Sequence, residues 1–231
     1  MGGLPLAADL LARARELVRQ EFAAQPLWGW KDPRTSLLLP FWQAVVPSPR
    51  YVLCVRNPLD VAASLGARDG FPLPRSAELW LRYTARCLQD TAGQPCLVVH
   101  YEDYFDDLEA QVRRLALFAG VDLPPDPSPL RSFLRADLRH HRHGLEDVLG
   151  HPELPLPVKF LYHALRVEAG GACDRARLVA QQAEKAYRAE VSGRKELAAL
   201  AEQHAALWDL NRRLIDDLQY VRATLADLSR R

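Results

Sequence analysis

A short apolar run followed directly by a turn constrains the fold of this chain more than any other feature. Residues 50–55 read Arg-Tyr-Val-Leu-Cys-Val, which predicts a strand buried on both faces. Asn57 and Pro58 come next, and they suit the N-cap and the first residue of a helix. Because helical spacing begins at Leu59, the sequence predicts a strand, a sharp turn and a helix in immediate succession.

The turn between this strand and helix is a candidate anion site. Arg56 stands at the carboxyl end of the strand, where open α/β sheets bind their ligands. Free N–H groups and the positive end of the helix dipole favour phosphate at the same place. Ser64 lies about two turns into the helix, on the face of Asn57 and Asp60. Arg56 and Ser64 can therefore converge on one anion. The structural alternatives are an Arg56–Asp60 salt bridge and a Ser64 that is only a small helical residue.

Two elements in this region resemble those of a known family. Arg56, seven intervening residues and Ser64 resemble the 3′-phosphate-binding element of sulfotransferases that use 3′-phosphoadenosine 5′-phosphosulfate (PAPS). Upstream, Lys31-Asp32-Pro33-Arg34 is similar to the Lys-Asp-Pro element of bacterial and tyrosylprotein sulfotransferases, whose lysine lies near the sulfuryl group. Lys31 precedes Arg56 by 25 residues, a separation similar to that in those families. The resemblance covers roughly residues 4–125.

The resemblance implies a function and a role for three residues. It implies transfer of a sulfuryl group from the cosubstrate PAPS to a hydroxyl acceptor, such as a carbohydrate or another small molecule. Arg56 and Ser64 would hold the 3′-phosphate. Lys31 would stabilise the oxygen that gains negative charge as the S–O bond breaks, a role that suits its compact charge. The general base is not assigned, because Pro33 stands where cytosolic sulfotransferases have a histidine.

The expected fold is a three-layer, P-loop-like α/β domain with a parallel sheet. The family carries a 5′-phosphosulfate loop near the N-terminus, with basic and Ser/Thr residues between a strand and a helix. Here Leu4–Phe22 is predicted to be a helix, with no strand before it and no such residue beside Gly2-Gly3. We therefore expect a domain truncated at its N-terminus, which is an enzyme if the loop is supplied upstream. The alternative is a non-catalytic remnant of the fold that dimerises and binds a partner.

Two further strands and several helices are predicted from the sequence. Leu27–Lys31 is predicted to be a strand that presents Lys31 at its tip, although a surface lysine is the alternative. The two flanking tryptophans make this an apolar setting. Cys96–His100 is predicted to be a second buried strand, followed by Glu102 and Asp103 as turn and capping groups. Helices are predicted over residues 35–45, 59–69, 76–91, 108–119, 158–168 and 174–191.

A histidine-rich stretch, residues 138–144, follows a proline-rich connector. It has three histidines in four residues but no pair at helical ligand spacing, so a metal site is not predicted. We interpret it as a solvated basic loop. The alternative is a clamp over the nucleotide, because the family often returns a basic, glycine-containing loop to the 3′-phosphate.

The C-terminal part has the clearest periodicity in the chain. From Lys195 onward, apolar residues alternate spacings of three and four for nearly five heptads, which predicts a coiled coil. Asn211 at a core position favours a parallel homodimer. We therefore predict two domains, a sulfotransferase-like domain over residues 1–170 and a helical extension over 174–231. A helix folded back on the first domain is the alternative.

Composition indicates which kind of partner and which cellular compartment to expect. The 231 residues include 30 basic and 29 acidic side chains, so the net charge of +1 favours neither nucleic acid nor an anionic membrane as main partner. The four cysteines are scattered and are expected to be reduced thiols. With no apolar run approaching 18 residues and no leader pattern, we expect a cytoplasmic protein without a membrane span.

Overall fold

The structure is a computed structural model, which describes residues 5–123, 128–134, 141–168, 174–192 and 212. The described part is mostly helical and contains one two-stranded parallel sheet. Its elements in chain order are α1 (Pro5–Phe22), α2 (Thr35–Val45), β1 (Tyr51–Val55), α3 (Pro58–Asp69), α4 (Leu73–Asp90), β2 (Cys96–His100), α5 (Asp103–Asp106), α6 (Leu108–Ala119), α7 (Ser128–Phe133), α8 (Leu145–Gly150), α9 (Leu156–Val167) and α10 (Asp174–Ser192).

These elements belong to two compact units. The first unit comprises Met1–Ser48 and Tyr187–Arg231, and the second comprises Pro49–Ala186. In the first unit α1 packs on α2, and apolar residues of both helices form the contact. The buried residues of this contact are Leu10, Ala14, Leu38, Trp42 and Val45.

The second unit is built around the parallel pair β1–β2. The register runs from Tyr51 opposite Cys96 to Val55 opposite His100, so the carboxyl ends of both strands lie at one edge. Helices α3, α4 and α9 bury one face of this pair. The core there includes Val55, Leu59, Trp80, Leu88, Val98, Val158, Leu161 and Leu165. The strands predicted at residues 50–55 and 96–100 are confirmed to within one residue.

Strand β1 is not buried on both faces, which corrects the prediction from its composition. Val55 is 3 % exposed, whereas Val52 is 46 % exposed and Cys54 is also exposed. Alternate side chains of a strand point to opposite faces. Leu53 and Val55 therefore share the face that packs on the helices, and Val52 and Cys54 share the other. Burial of both faces requires helices on both sides, and the second face of β1 has little cover.

The segment 27–31 is not a strand, which is a second correction. It runs between α1 and α2 without regular structure. A strand needs the hydrogen bonds of a neighbour, and among the described residues only β1 and β2 pair. The helix predictions are confirmed, with Thr35–Val45 and Leu108–Ala119 at the predicted bounds.

Helices around a small parallel sheet are consistent with an α/β domain. The coiled coil predicted from Lys195 onward lies outside the described residues, apart from residue 212. It stays a prediction, as do the domain bounds 1–170 and 174–231 and the N-terminal truncation. None of the described helices combines the length and apolar character needed to cross a membrane.

Candidate functional site

The turn between β1 and α3 is fixed by Asn57. Its side-chain oxygen accepts a hydrogen bond from the backbone N–H of Leu59 at 2.9 Å, which caps the helix, and Pro58 occupies the first turn. The amide nitrogen of the same side chain donates to the carbonyl of His143 at 2.7 Å. Asn57 is fully buried. The predicted N-cap is therefore confirmed, and it also holds a distant segment.

Arg56 is positioned from two sides at the carboxyl end of β1. Its backbone carbonyl accepts a hydrogen bond from Trp80 Nε1 at 2.9 Å. Its guanidinium carbon lies 4.9 Å from the centroid of the Tyr101 ring, within cation–π distance. The buried Nε has no hydrogen-bond partner among the described residues. The Arg56 side chain is thus in contact with Tyr101, and its buried Nε donor is unpaired among the described residues.

Glu102 joins the end of β2 to the same turn. Its Oε1 accepts a hydrogen bond from the backbone N–H of Asn57 at 2.7 Å. Burial raises the pKa of the Glu102 carboxyl above its ordinary value. Glu102 is therefore a group of the turn after β2, as predicted, and it also links the ends of β1 and β2. The neighbouring Asp103 pairs with Arg166 at 2.6 Å.

Asp60 anchors the end of the histidine-rich stretch. Its Oδ1 accepts from His143 twice, from the backbone N–H at 3.1 Å and at ring Nδ1 at 2.7 Å. Asp60 is fully buried, and its second oxygen has no hydrogen-bond partner among the described residues. Asp60 therefore bonds His143 rather than Arg56, so the Arg56–Asp60 salt bridge considered from sequence does not form. The described end of this stretch, residues 141–144, packs on the β1–α3 turn.

Ser64 and Arg56 belong to one strand–turn–helix unit, as predicted. Ser64 lies in the middle of α3 and is exposed. Its hydroxyl is therefore accessible to a ligand, whereas Leu59 and Ala62 on the packed side of the helix are buried.

Lys31 lies in the first unit, in the segment between α1 and α2, and its side chain is exposed. The next residue, Asp32, accepts the backbone N–H of Arg34 at 2.8 Å and its Nε at 2.9 Å. The Arg34 guanidinium lowers the pKa of the Asp32 carboxyl. Asp32 thus orients the turn, and Arg34 is its ion-pair partner. Lys31 shares this segment with Trp28 and Trp30.

Comparison with models of protein families shows the family to which this chain belongs. A family model described as "Sulfotransferase family" matches residues 5–125, more than half of the chain. The chain belongs to the sulfotransferase family. Searches of curated proteins and of solved structures return no match. The sequence resemblance is therefore confirmed at the level of the family, and the matched residues include Lys31, Arg56 and Ser64.

Three contacts around the β1–α3 turn were not predicted from the sequence. Trp80 is buried and donates to the Arg56 carbonyl. Tyr101 carries the cation–π contact, and His143 bonds Asp60. Trp80 lies in an apolar helical pattern, which predicts a core residue. Tyr101 follows the end of a strand, which predicts a turn residue. No local signal distinguishes such residues from those that position an arginine.

A cavity of about 380 Å³ lies beside α5, the first turn of α6 and the described residues of α7. Its lining includes Phe105, whose ring meets that of Tyr101 at 5.1 Å. The arginine in its wall, Arg131, is bonded to Glu109. Because that cation is already paired, the cavity is a poorer phosphate site than the β1–α3 turn. No group of acidic, histidine or cysteine side chains suited to a metal ion occurs within the described ranges.

Proposed function

We propose that this protein binds PAPS at the β1–α3 turn and transfers its sulfuryl group to a hydroxyl acceptor. The observation that carries the proposal is the state of Arg56. Its carbonyl is bonded to Trp80, its guanidinium lies on Tyr101, and its buried Nε lacks a partner among the described residues. Because the Arg56 guanidinium already packs on Tyr101, it has little conformational entropy to lose when an anion binds. A hydrogen bond from this guanidinium to a phosphate is charge-assisted, and it is stronger than one between neutral groups.

Arg56 and Ser64 would hold the 3′-phosphate. Their spacing on one strand–turn–helix unit supports this assignment, as does the exposure of Ser64. The N-terminal end of α3 adds the favourable end of a helix dipole. The hydrogen bonds from Asn57 to the carbonyls of His143 and Gly144 support the alternative considered for that stretch, a clamp over the nucleotide.

Lys31 would act on the reacting group. PAPS supplies the sulfuryl group when it is bound, and charge develops on the oxygen that leaves sulfur. The exposed Lys31 ammonium would stabilise that charge. The acceptor is a hydroxyl compound, and the chain's membership of the sulfotransferase family is what supports the reaction class.

Binding of adenosine 3′,5′-bisphosphate to the full chain tests the proposal. The bisphosphate should raise the melting temperature, and 5′-AMP should do so much less, because it lacks the 3′-phosphate. Arg56→Ala should weaken bisphosphate binding by about 2–3 kcal/mol, since a charge-assisted contact is lost.

Arg68→Ala is the matched control, because Arg68 lies in α3, the helix that follows Arg56, and its guanidinium is bonded to Asp69 at 2.7 Å. It should leave bisphosphate affinity within about twofold, as expected for an exposed charge pair. Equal affinity of the unmodified chain for the two nucleotides would contradict the assignment.

A further inference from the structure

A buried carboxylate and a half-buried histidine meet at the first turn of α3. Asp60 is fully buried in that turn, and its Oδ1 lies 2.7 Å from Nδ1 of His143. The His143 side chain is 41 % exposed. Both residues belong to the second unit. A carboxylate is rarely buried completely unless it has a partner, and the proposed function gives Asp60 no role. This pair is therefore a titratable feature that the nucleotide site has not yet accounted for.

The segment around His143 is anchored by backbone bonds that do not involve the ring. The N–H of His143 donates to Asp60 Oδ1 at 3.1 Å, and its carbonyl accepts from Asn57 Nδ2 at 2.7 Å. The N–H of Gly144 donates to Asp147 at 2.7 Å. Any residue other than proline could make these backbone bonds at position 143. The bond from the ring to Asp60 is thus not needed to hold the segment. What it adds is a fixed orientation of the ring and a fixed proton.

The bond to Asp60 determines which ring nitrogen is left for a ligand. An ionised carboxylate only accepts hydrogen bonds, so Nδ1 of His143 carries a proton. Nε2 has no hydrogen-bond partner among the described residues. In the neutral ring Nε2 presents a lone pair, which repels an anion, whereas in the imidazolium it carries a proton and donates. An anion that contacts Nε2 therefore selects the charged form of the ring.

The ring is attached to the turn at which the 3′-phosphate is proposed to bind. Asn57, which holds the His143 carbonyl, directly follows Arg56, whose buried Nε has no partner among the described residues. Asp60, which holds the ring, lies in the first turn of α3. That end of a helix favours negative charge. A phosphate bound by Arg56 at this turn would therefore add negative charge near the His143 ring.

Other charged and titratable groups occur near this contact, but Asp60 is the one bonded to the ring. The others have different partners or are adjacent in the chain. They are Glu102, which accepts from the N–H of Asn57, Asp147, which accepts from that of Gly144, Arg56, which lies on the Tyr101 ring, and the chain neighbours His141 and Arg142. The charge of the His143 ring thus depends first on Asp60 and on any anion that binds.

We propose that His143 is an anion-binding residue whose ring takes up a proton when the 3′-phosphate binds, and that Asp60 is the positioning residue that leaves Nε2 free for the anion. This inference rests on the proposed function. On binding, Nε2 takes one proton from solvent and donates it in a hydrogen bond to a phosphate oxygen, and no covalent bond of the nucleotide changes. Proton and anion each strengthen the binding of the other. Because histidine ordinarily changes charge between about pH 5 and 8, nucleotide affinity decreases as the pH rises through this range.

Calorimetric titration of the full chain with adenosine 3′,5′-bisphosphate tests the inference. Buffers of different ionisation enthalpy give the number of protons taken up, which should be about half a proton or more near pH 7.5. His143→Gln should abolish most of this uptake. It should weaken binding about tenfold at pH 6.5 and less than about threefold at pH 8.5. The phosphate itself loses a proton near pH 6, and this contribution is the same in both chains.

Two further variants separate charge from structure. His143→Lys carries a cation at every pH tested, so it should bind more tightly than His143→Gln and take up no proton on binding. His163→Gln is the matched control, because it removes an exposed histidine of α9 in the same unit. It should leave both the affinity and the proton uptake unchanged. Equal pH profiles for the unmodified chain and His143→Gln overturn the inference.

Sulfate is the second ligand, since its charge is constant over this pH range, and it separates the inference from the proposed function. If the bisphosphate binds through Arg56 without proton uptake by His143, the inference is wrong and the nucleotide site stands. If sulfate binds with proton uptake that His143→Gln removes, while the bisphosphate does not bind, the anion site with His143 stands and the proposed function is wrong. Failure of both ligands to bind contradicts both.

Discussion

The β1–α3 turn and the Lys31 segment are built in opposite ways. In the turn, besides the local cap bond from Leu59, several bonds that fix Asn57 and Arg56 come from residues far away in sequence. Glu102 and Trp80 belong to other elements, and His143 lies 86 residues from Asn57. In the segment 27–35, hydrogen bonds join near neighbours, Asp32 with Arg34 and Trp30 with Thr35. Aromatic ring contacts join Trp30 to Trp28, where the rings stack, and to Trp42, where they are tilted.

This difference suits the two roles proposed for these regions. A nucleotide phosphate is recognised by charge at a defined position, which a network of long-range bonds provides. A lysine that acts on developing charge needs reach and an unblocked ammonium, which an exposed side chain on a short local turn provides. The predictions below test whether the two regions have separate roles.

Removing the ammonium should have the largest effect. Lys31→Ala should lower the turnover of sulfuryl transfer by at least about a hundredfold, because charge in the transition state loses its partner. Bisphosphate affinity should stay within about threefold, since the lysine acts on the reacting group more than on bound nucleotide. Turnover with PAPS and binding by calorimetry are the two measurements.

Lys185→Ala is the control, because Lys185 is an exposed lysine of α10. It should change neither quantity. If Lys31→Ala instead weakens bisphosphate binding as strongly as turnover, the division of roles between the two regions fails.

Acid should destabilise the second unit through His100. This ring is fully buried at the end of β2, and burial lowers its pKa from 6.5 to about 4. Between those values the unfolded chain takes up a proton that the folded chain does not. Stability should therefore fall by up to about 3 kcal/mol as the pH decreases from about 6.5 to 4. Glu102, with its raised pKa, acts in the opposite direction.

Urea unfolding at a series of pH values measures how much His100 contributes to this loss of stability. His100→Gln keeps a side-chain donor for the Leu165 carbonyl, which lies 3.2 Å from His100 Nε2. It should flatten the acid limb, which is the fall in unfolding free energy between about pH 6.5 and 4. His163→Gln changes an exposed histidine of α9 and should leave that limb unchanged. An unaltered limb in the His100 variant would assign the acid sensitivity to other groups.

The smallest effect compares two helix caps. Asn57→Ala removes the cap of α3 and a donor to the His143 carbonyl, so it should cost about 2 kcal/mol of unfolding free energy. Asp107→Ala removes an exposed cap of α6, whose carboxylate accepts from Ala110 N–H at 3.0 Å, and should cost about 1 kcal/mol. Equal losses in chemical denaturation would indicate that the long-range bond of Asn57 adds nothing.

The sequence predicted local features well and long-range contacts poorly. The strand, cap and helix around Asn57 follow from residue preferences within a few positions, and the structure has them at the expected places. The contacts of Trp80 and His143 did not follow, because an apolar helical stripe and a basic loop have the same local pattern wherever they pack. The strand predicted at residues 27–31 failed for a related reason. Its composition suits a strand, but pairing depends on a neighbour that no local pattern specifies.

The bond between Glu102 and Asn57 has a consequence for the order of folding. It closes a loop of 45 residues, and the bond from Asn57 to His143 closes one of 86. Contacts so distant in sequence form after local helices, because the entropy of loop closure must be offset first. On a translating ribosome, the anion site would therefore be incomplete until residue 144 has left the exit tunnel. A nascent chain halted before that point would display α3 without the segment that anchors its first turn.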